Sequence, residues 1–203
     1  MLIVFNEIMS LISKQFLEEI KKMEGEIIGS SLKTDREFIV EKEGVEGLSK
    51  LEMEMGKLGY PLKQAEIDKY KWYPVQQDFL SLMLAQKMFN WSDKTVQEWG
   101  RWGAKTNFII KLMSRLVNKE TISKLASKYW RRYYTKGEIE YKLDYKNKTG
   151  ITTIRDFVIY PVHLHYLEGY FYQIMCLIVP AKDLKVEGSE VGELNTHQFK
   201  ITW

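Results

Sequence analysis

The sequence predicts an α+β domain: an antiparallel sheet of about four strands packed against a helical layer, with an added N-terminal helix. Three observations predict it. Apolar residues recur at steps of three or four through most of the first 133 positions. Ile139, Tyr141, Leu143 and Tyr145 then alternate with Glu138, Glu140, Lys142 and Asp144, the two-residue period of a half-buried strand. A long apolar stretch opened by Pro161 separates that region from a second alternating one, Phe199, Ile201 and Trp203.

Phe5, Ile8, Met9, Ile12, Phe16, Ile20 and Met23 share one face of an amphipathic helix expected over residues 1–28, set apart from a single domain over 29–203. Its charged face mixes Glu with Lys, so packing on its own domain or on a second subunit is favoured over a membrane surface. A helical pattern then runs from Phe38, pauses at Gly44, and continues through Leu48, Leu51 and Met55 to a stop at Gly56. Residues 57–73 read as a loop with a turn at Gly59-Tyr60-Pro61, and Pro74 is suited to the first turn of a helix through Phe79 and Met88. Ser92 or Asp93 offers a cap for a helix carrying Val96, Trp99 and Trp102. A further segment holds Phe108 to Leu116, and Asn118 or Thr121 would cap a helix to about Tyr133. A hairpin over 137–158, a helix from Pro161 to about Ile178, and strands near 182–187 and 196–203 complete the order.

Composition narrows the function. With 45% hydrophobic and 28% charged residues, the 203-residue chain can bury a core and is neither disordered nor a transmembrane bundle. A net charge of +3 argues for no particular partner surface. Cys176 is the single cysteine, which rules out an internal disulfide and a multi-thiolate metal site within one chain. The apolar run Met1–Phe5 has no basic region before it and Ile174–Val179 is too short to span a bilayer, so a cytoplasmic location without a membrane span is expected.

His163, His165 and His197 are the three histidines, and the first two sit on nearly opposite faces of a helix, so no metal site is expected. No nucleophile motif, phosphate loop or dinucleotide fingerprint accompanies them, so neither an enzyme nor a bound cofactor is expected. The richest local constellation is basic and aromatic. Lys124, Lys128, Arg131 and Arg132 line one flank of a helix beside Tyr129, Trp130 and Tyr133. Cations on phosphates and rings on bases would bind nucleic acid there. The competing reading, in which the rings face the core and the cations favour a helix C-terminus, is preferred to a nucleic-acid partner.

The stretches Trp99-Gly100-Arg101-Trp102-Gly103-Ala104-Lys105 and Lys128-Tyr129-Trp130-Arg131-Arg132-Tyr133-Tyr134-Thr135-Lys136-Gly137-Glu138-Ile139 resemble bacterial domains of the heme-NO-binding-associated and vinyl-reductase-like group. Tyr166-Leu167-Glu168-Gly169-Tyr170 and the terminal Phe199-Lys200-Ile201-Thr202-Trp203 match further short motifs of that group, over residues 28–203. The resemblance implies a fold shared with nitric-oxide signalling domains and TRAPP tethering subunits, dimerisation through helices, and a sensing or scaffold role. Paired cysteines often found in such relatives' C-terminal hairpin are missing from Glu190–His197, which weakens any inherited metal or thiol role.

Nine Met, six Trp and 12 Tyr exceed what a modest sheet needs for its core. They suit an adaptable apolar pocket. The expectation is a non-catalytic sensor or adaptor that binds a hydrophobic small molecule through Trp99, Trp102, Trp130, Tyr133, Tyr170 and Phe171 and forms a homodimer. A structural interaction module without a ligand is the alternative.

Overall fold

A helix begins where a side chain takes up its first free N–H groups, and Ser13 does this for α1 (Lys14–Lys21), its Oγ accepting from Phe16 N at 3.1 Å. The computed structural model describes residues 12–106, 126–179, 182–192 and 195–203. They fall into two compact units, Met1–Trp91 and Ser92–Trp203.

In the first unit, α1 stops at Lys21, short of the 28 residues its pattern suggested. Gly25, with φ 105°, turns the chain, and Glu26–Ile28 form β1. The part of that helix expected before Ile12 lies outside the described residues. β1 pairs antiparallel with β2 (Trp72–Pro74), so Pro74 ends a strand instead of opening a helix. Its missing N–H costs little at the end of so short a pair. α2 (Gly29–Lys57) follows β1 directly and breaks its helical geometry at Gly44 (φ 71°), where the periodicity pauses. α3 (Gln76–Met88) buries Phe79, Leu80, Leu82 and Leu84. Within this unit the Arg36 guanidinium is 1% exposed, lies 3.9 Å from Glu52 and donates to Leu62 O at 3.1 Å.

The second unit is where the candidate residues gather. Ser92 Oγ accepts from Thr95 N at 3.2 Å and starts α4 (Asp93–Thr106). The segment expected at Phe108–Leu116 and the start of the helix after it lie outside the described residues; that helix is seen over 126–130 and unwinds into turns at 131–133. Next come β3 (Glu138–Asp144), β4 (Thr149–Arg155), α5 (Pro161–Ile178), β5 (Lys185–Glu190) and β6 (His197–Thr202). The strands form one antiparallel sheet in the order β3-β4-β6-β5.

Register explains how α5 seats on this sheet. Tyr141, Thr152, Phe199 and Gly188 lie side by side across the four strands. Phe171 of α5 meets this row edge-on, its ring centroid 5.8 Å from Tyr141 and 4.9 Å from Phe199. At Gly188 an added Cβ would lie 2.7 Å from Leu164 Cδ1, so glycine there lets α5 settle onto the strands. The other face of the sheet carries Glu138, Lys142, Ile151, Arg155 and Lys200 in solvent, the wet face the alternation predicts. Among the described residues no helix is long and apolar enough to cross a membrane.

Candidate functional site

Two glycine-containing turns bring α4 and α5 together. A Cβ on Gly100 would overlap the Tyr166 carbonyl, and one on Gly169 would overlap the Gln97 carbonyl. The two backbones therefore touch, and no guest fits between them at these points. Gly100 and Gly103, which belong to no phosphate loop, serve this seam; a Cβ on Gly103 would lie 2.6 Å from the Tyr166 hydroxyl.

A polar hub closes one end of the seam. The Glu168 carboxylate accepts from Gln97 Nε2 of α4 at 3.0 Å, from His165 Nδ1 at 2.9 Å and from Gly188 N of β5 at 2.9 Å. His165 Nε2 faces Asp93 Oδ2 at 3.5 Å. Glu168 is 12% exposed, so the three donors satisfy a carboxylate that would otherwise be costly to bury. The i,i+3 spacing of His165 and Glu168 is visible in the sequence, but the link to Gln97 and Gly188 needs the fold.

The six residues expected to line an apolar pocket divide into two groups. Trp99, Trp130 and Phe171 are buried, at 0%, 7% and 2% exposure. Trp99 meets Tyr166 edge-on at 6.1 Å. Trp130 stacks on Tyr134 at 4.7 Å, meets Phe157 at 5.1 Å and donates from Nε1 to Lys136 O at 2.9 Å, so it holds the loop that follows it. Trp102, Tyr133 and Tyr170 are half-buried. Tyr133 and Tyr129 share a hydroxyl hydrogen bond of 2.9 Å. Burial, and after it the neighbouring Tyr170 and Tyr133, pushes the Tyr129 phenol well above its ordinary ionisation range, so it stays protonated.

Of the four basic residues, Lys128, Arg131 and Arg132 are exposed, and Lys124 lies outside the described residues. Arg131 borders a cleft of about 210 Å³ with Ser127, Gly137, Glu138, Ile139, Glu140 and Arg155. Arg131 pairs with Glu138 at 4.0 Å and Arg155 with Glu140 at 3.3 Å. Hydrogen bonds from Lys142 and Arg155 hold the Glu140 carboxyl below the usual carboxylate range.

His163 and His197 are buried, at 4% and 5% exposure. Burial lowers the His163 pKa to about 3 and lowers that of His197 as well, with Glu190 opposing the latter shift. Both rings are neutral at pH 7. The described residues contain no group of three His, Cys, Asp or Glu placed to hold a metal ion.

No protein-family model and no curated protein matches this sequence. Solved structures do match. An H-NOX protein from S. oneidensis in the Fe(II)NO ligation state superposes with a TM-score of 0.58 at 12% identity, over 86% of this chain and 98% of that one. A doubly substituted Tt H-NOX gives 0.61 at 10% identity, over 87% and 95%. An Fe(II) unliganded H-NOX variant from K. algicida gives 0.57 at 11% identity, over 87% and 96%. At such identities the likeness is one of fold: this chain has an H-NOX-like fold.

The haem named for other matched H-NOX structures can be tested against the histidines present here. His165 has both ring nitrogens turned to carboxylates, Glu168 and Asp93. His163 lies ring against ring with Tyr160 on the buried side of α5. His197 Nδ1 has no hydrogen-bond partner among the described residues, but it lies in a helix–sheet layer closed by Phe171 against Phe199 at 4.9 Å. The described cleft is lined by no histidine and falls below the roughly 300–1,000 Å³ of sites for larger organic ligands. Among the described residues of this unit, no histidine is placed to ligate a haem iron.

Proposed function

We propose that this chain is a non-catalytic, cytoplasmic sensor or adaptor domain that binds a hydrophobic small molecule and forms a homodimer. The observation that carries the reading is the H-NOX-like fold, matched over most of the chain by proteins described in an Fe(II) unliganded and an Fe(II)NO-ligated state. The half-buried Trp102, Tyr133 and Tyr170 support it further, because amphipathic aromatic side chains suit a pocket that is apolar with a few hydrogen-bonding points. The ligand is organic and bound without an iron–histidine bond, since the histidines are otherwise engaged or packed.

Native mass spectrometry of the purified full chain, paired with thermal shift across a lipid and haem panel, tests the reading. A retained organic ligand, or a stabilisation of about 2.7 kcal/mol at a hundredfold excess over Kd, is expected. Neither retained mass nor any shift across the panel would remove it. The same spectra report the dimer.

A further inference from the structure

We propose that the outer edge of β3 pairs with the same edge of a second copy of this chain, antiparallel and with Leu143 on the twofold axis, so that one sheet runs through both copies. It is the interface of the homodimer proposed above, on which it rests, and it uses strands in place of the helices that the family resemblance implies.

Hydrogen-bond direction alternates along an antiparallel pair, which fixes what each edge of the sheet presents. Trp203 N donates to Lys148 O at 3.1 Å, so Gly150, Thr152 and Ile154 of β4 face β6 while Ile151 and Thr153 face β3. Carried through the β3–β4 register, this turns the N–H and C=O groups of Ile139, Tyr141 and Leu143 outward. Ser127 Oγ reaches Ile139 O from that side, at 2.8 Å. Among the described residues, nothing bonds the outward groups of Tyr141 and Leu143. The β5 edge differs. Val191 N donates to Thr196 O at 3.1 Å, which turns Val186, Gly188 and Glu190 outward, and there Gly188 N already donates to Glu168 of α5 at 2.9 Å. One edge is stopped at its centre and the other is open. An open edge is a template for another strand, and pairing it with itself about a twofold axis closes the assembly.

Charge selects the register. With Leu143 opposite its own copy, Lys142 stands opposite Asp144 of the second copy, once on each side of the axis. These are non-hydrogen-bonded positions, where Cα atoms approach to about 4.5 Å and side chains lie closest. Centring on Lys142 or on Asp144 would set like charges face to face, and centring on Tyr141 would drive Leu143 of the second copy against Ser127 at Ile139. Asp144 has no cation of its own among the described residues. Its carboxylate accepts from Asn147 N and Lys146 N, both at 3.0 Å, and from Asn147 Nδ2 at 2.7 Å, all uncharged donors. Lys142 is 74% exposed and pairs with Glu140 at 3.1 Å; when it turns to Asp144 of the second copy, Arg155 still stands 3.3 Å from that glutamate. Exposed pairs of this kind set register and add little strength. Strength comes from the backbone bonds of Tyr141 and Leu143 and from the half-buried Leu143 side chain, which lies over Gly150 and whose remaining surface its own copy would cover.

Sedimentation equilibrium of the full chain up to about 0.5 mM tests this, the range that suits a small interface. A monomer–dimer equilibrium is expected. Leu143→Pro removes an N–H that the β3–β4 ladder does not use, so it should abolish the dimer while the ¹H–¹⁵N spectrum still shows the folded hairpin. Lys142→Asp should weaken the dimer tenfold or more, and Lys200→Glu, on the exposed face of β6, should change it less than twofold. An equimolar mixture of Lys142→Asp with Asp144→Lys should regain the native affinity within threefold, because each mixed pair is again opposite in charge. Asp144 also shapes its own turn, so if Asp144→Lys fails to fold, Leu143→Pro and Lys142→Asp decide. A dimer of unchanged strength in those two variants would overturn this interface and leave the homodimer on another surface. A chain that stays monomeric throughout would overturn both.

Discussion

Along the α4–α5 seam, Gly100, Gly103 and Gly169 let two helices meet with little or no side chain between them, and Glu168 fastens one end with three hydrogen bonds. Across the Arg131–Arg155 cleft, in the same unit, side chains face one another over open polar space and pair at 3.3–4.0 Å with much of each group in water. The first boundary is held by the absence of atoms, so adding one is costly. The second is held by weak charge pairs, so changing one is cheap. Glycine and arginine thus do opposite work within one unit.

That contrast breaks most visibly at Gly169. Gly169→Ala places a methyl on the Gln97 carbonyl, and neither helix backbone can yield locally. The gain of about 1 kcal/mol in helix propensity is outweighed by overpacking, for a net loss of about 2 kcal/mol or more, read as a lower urea midpoint. Gly103→Ala meets only the Tyr166 hydroxyl, the far end of a side chain that can rotate, and should lose much less. Equal losses at the two positions would mean that the seam is not backbone against backbone.

The packed side of the unit also carries a pH signature. His163 has a folded pKa of about 3 against an ordinary 6.5. Below pH 6.5 the unfolded chain takes up a proton that the folded one refuses, so stability is full above that pH and falls as pH drops toward 3. The slope is about 1.4 kcal/mol per pH unit. Urea midpoints at pH 7 and pH 5 should show the native protein losing about 2 kcal/mol more than His163→Leu. A variant with the same loss as the native protein would place His163 in contact with water.

Much of this architecture was legible before any coordinates. The two hairpins and the helix from Pro161 follow from clean changes of period, and Ser92 announced α4 by its capping chemistry. β1 and β2 were not legible, because three residues are too few to show alternation and Pro74 reads equally as a helix start. The site was legible in part. Arg131 stands out in a basic flank, but Glu138 and Glu140 read as the ordinary wet side of a strand. Which aromatic residues stay half-buried depends on tertiary packing: Trp99 and Trp102 share a helix three residues apart, yet one is buried and the other half-buried. Glu168 joins α4, α5 and β5 through partners 71 and 20 residues away, a separation no local pattern encodes.

The account rests on the α4–α5 seam being closed in the resting protein while the cleft stays open to water. Hydrogen exchange at single-residue resolution on the full chain measures this directly. The amides of Trp99 and Gly100 and of Leu167 to Phe171 should exchange only as slowly as global unfolding of the unit allows, with protection equal to that of Thr152 and Phe199 in the sheet. Seam amides that exchange well before the sheet, through a local parting of α4 from α5, would contradict it.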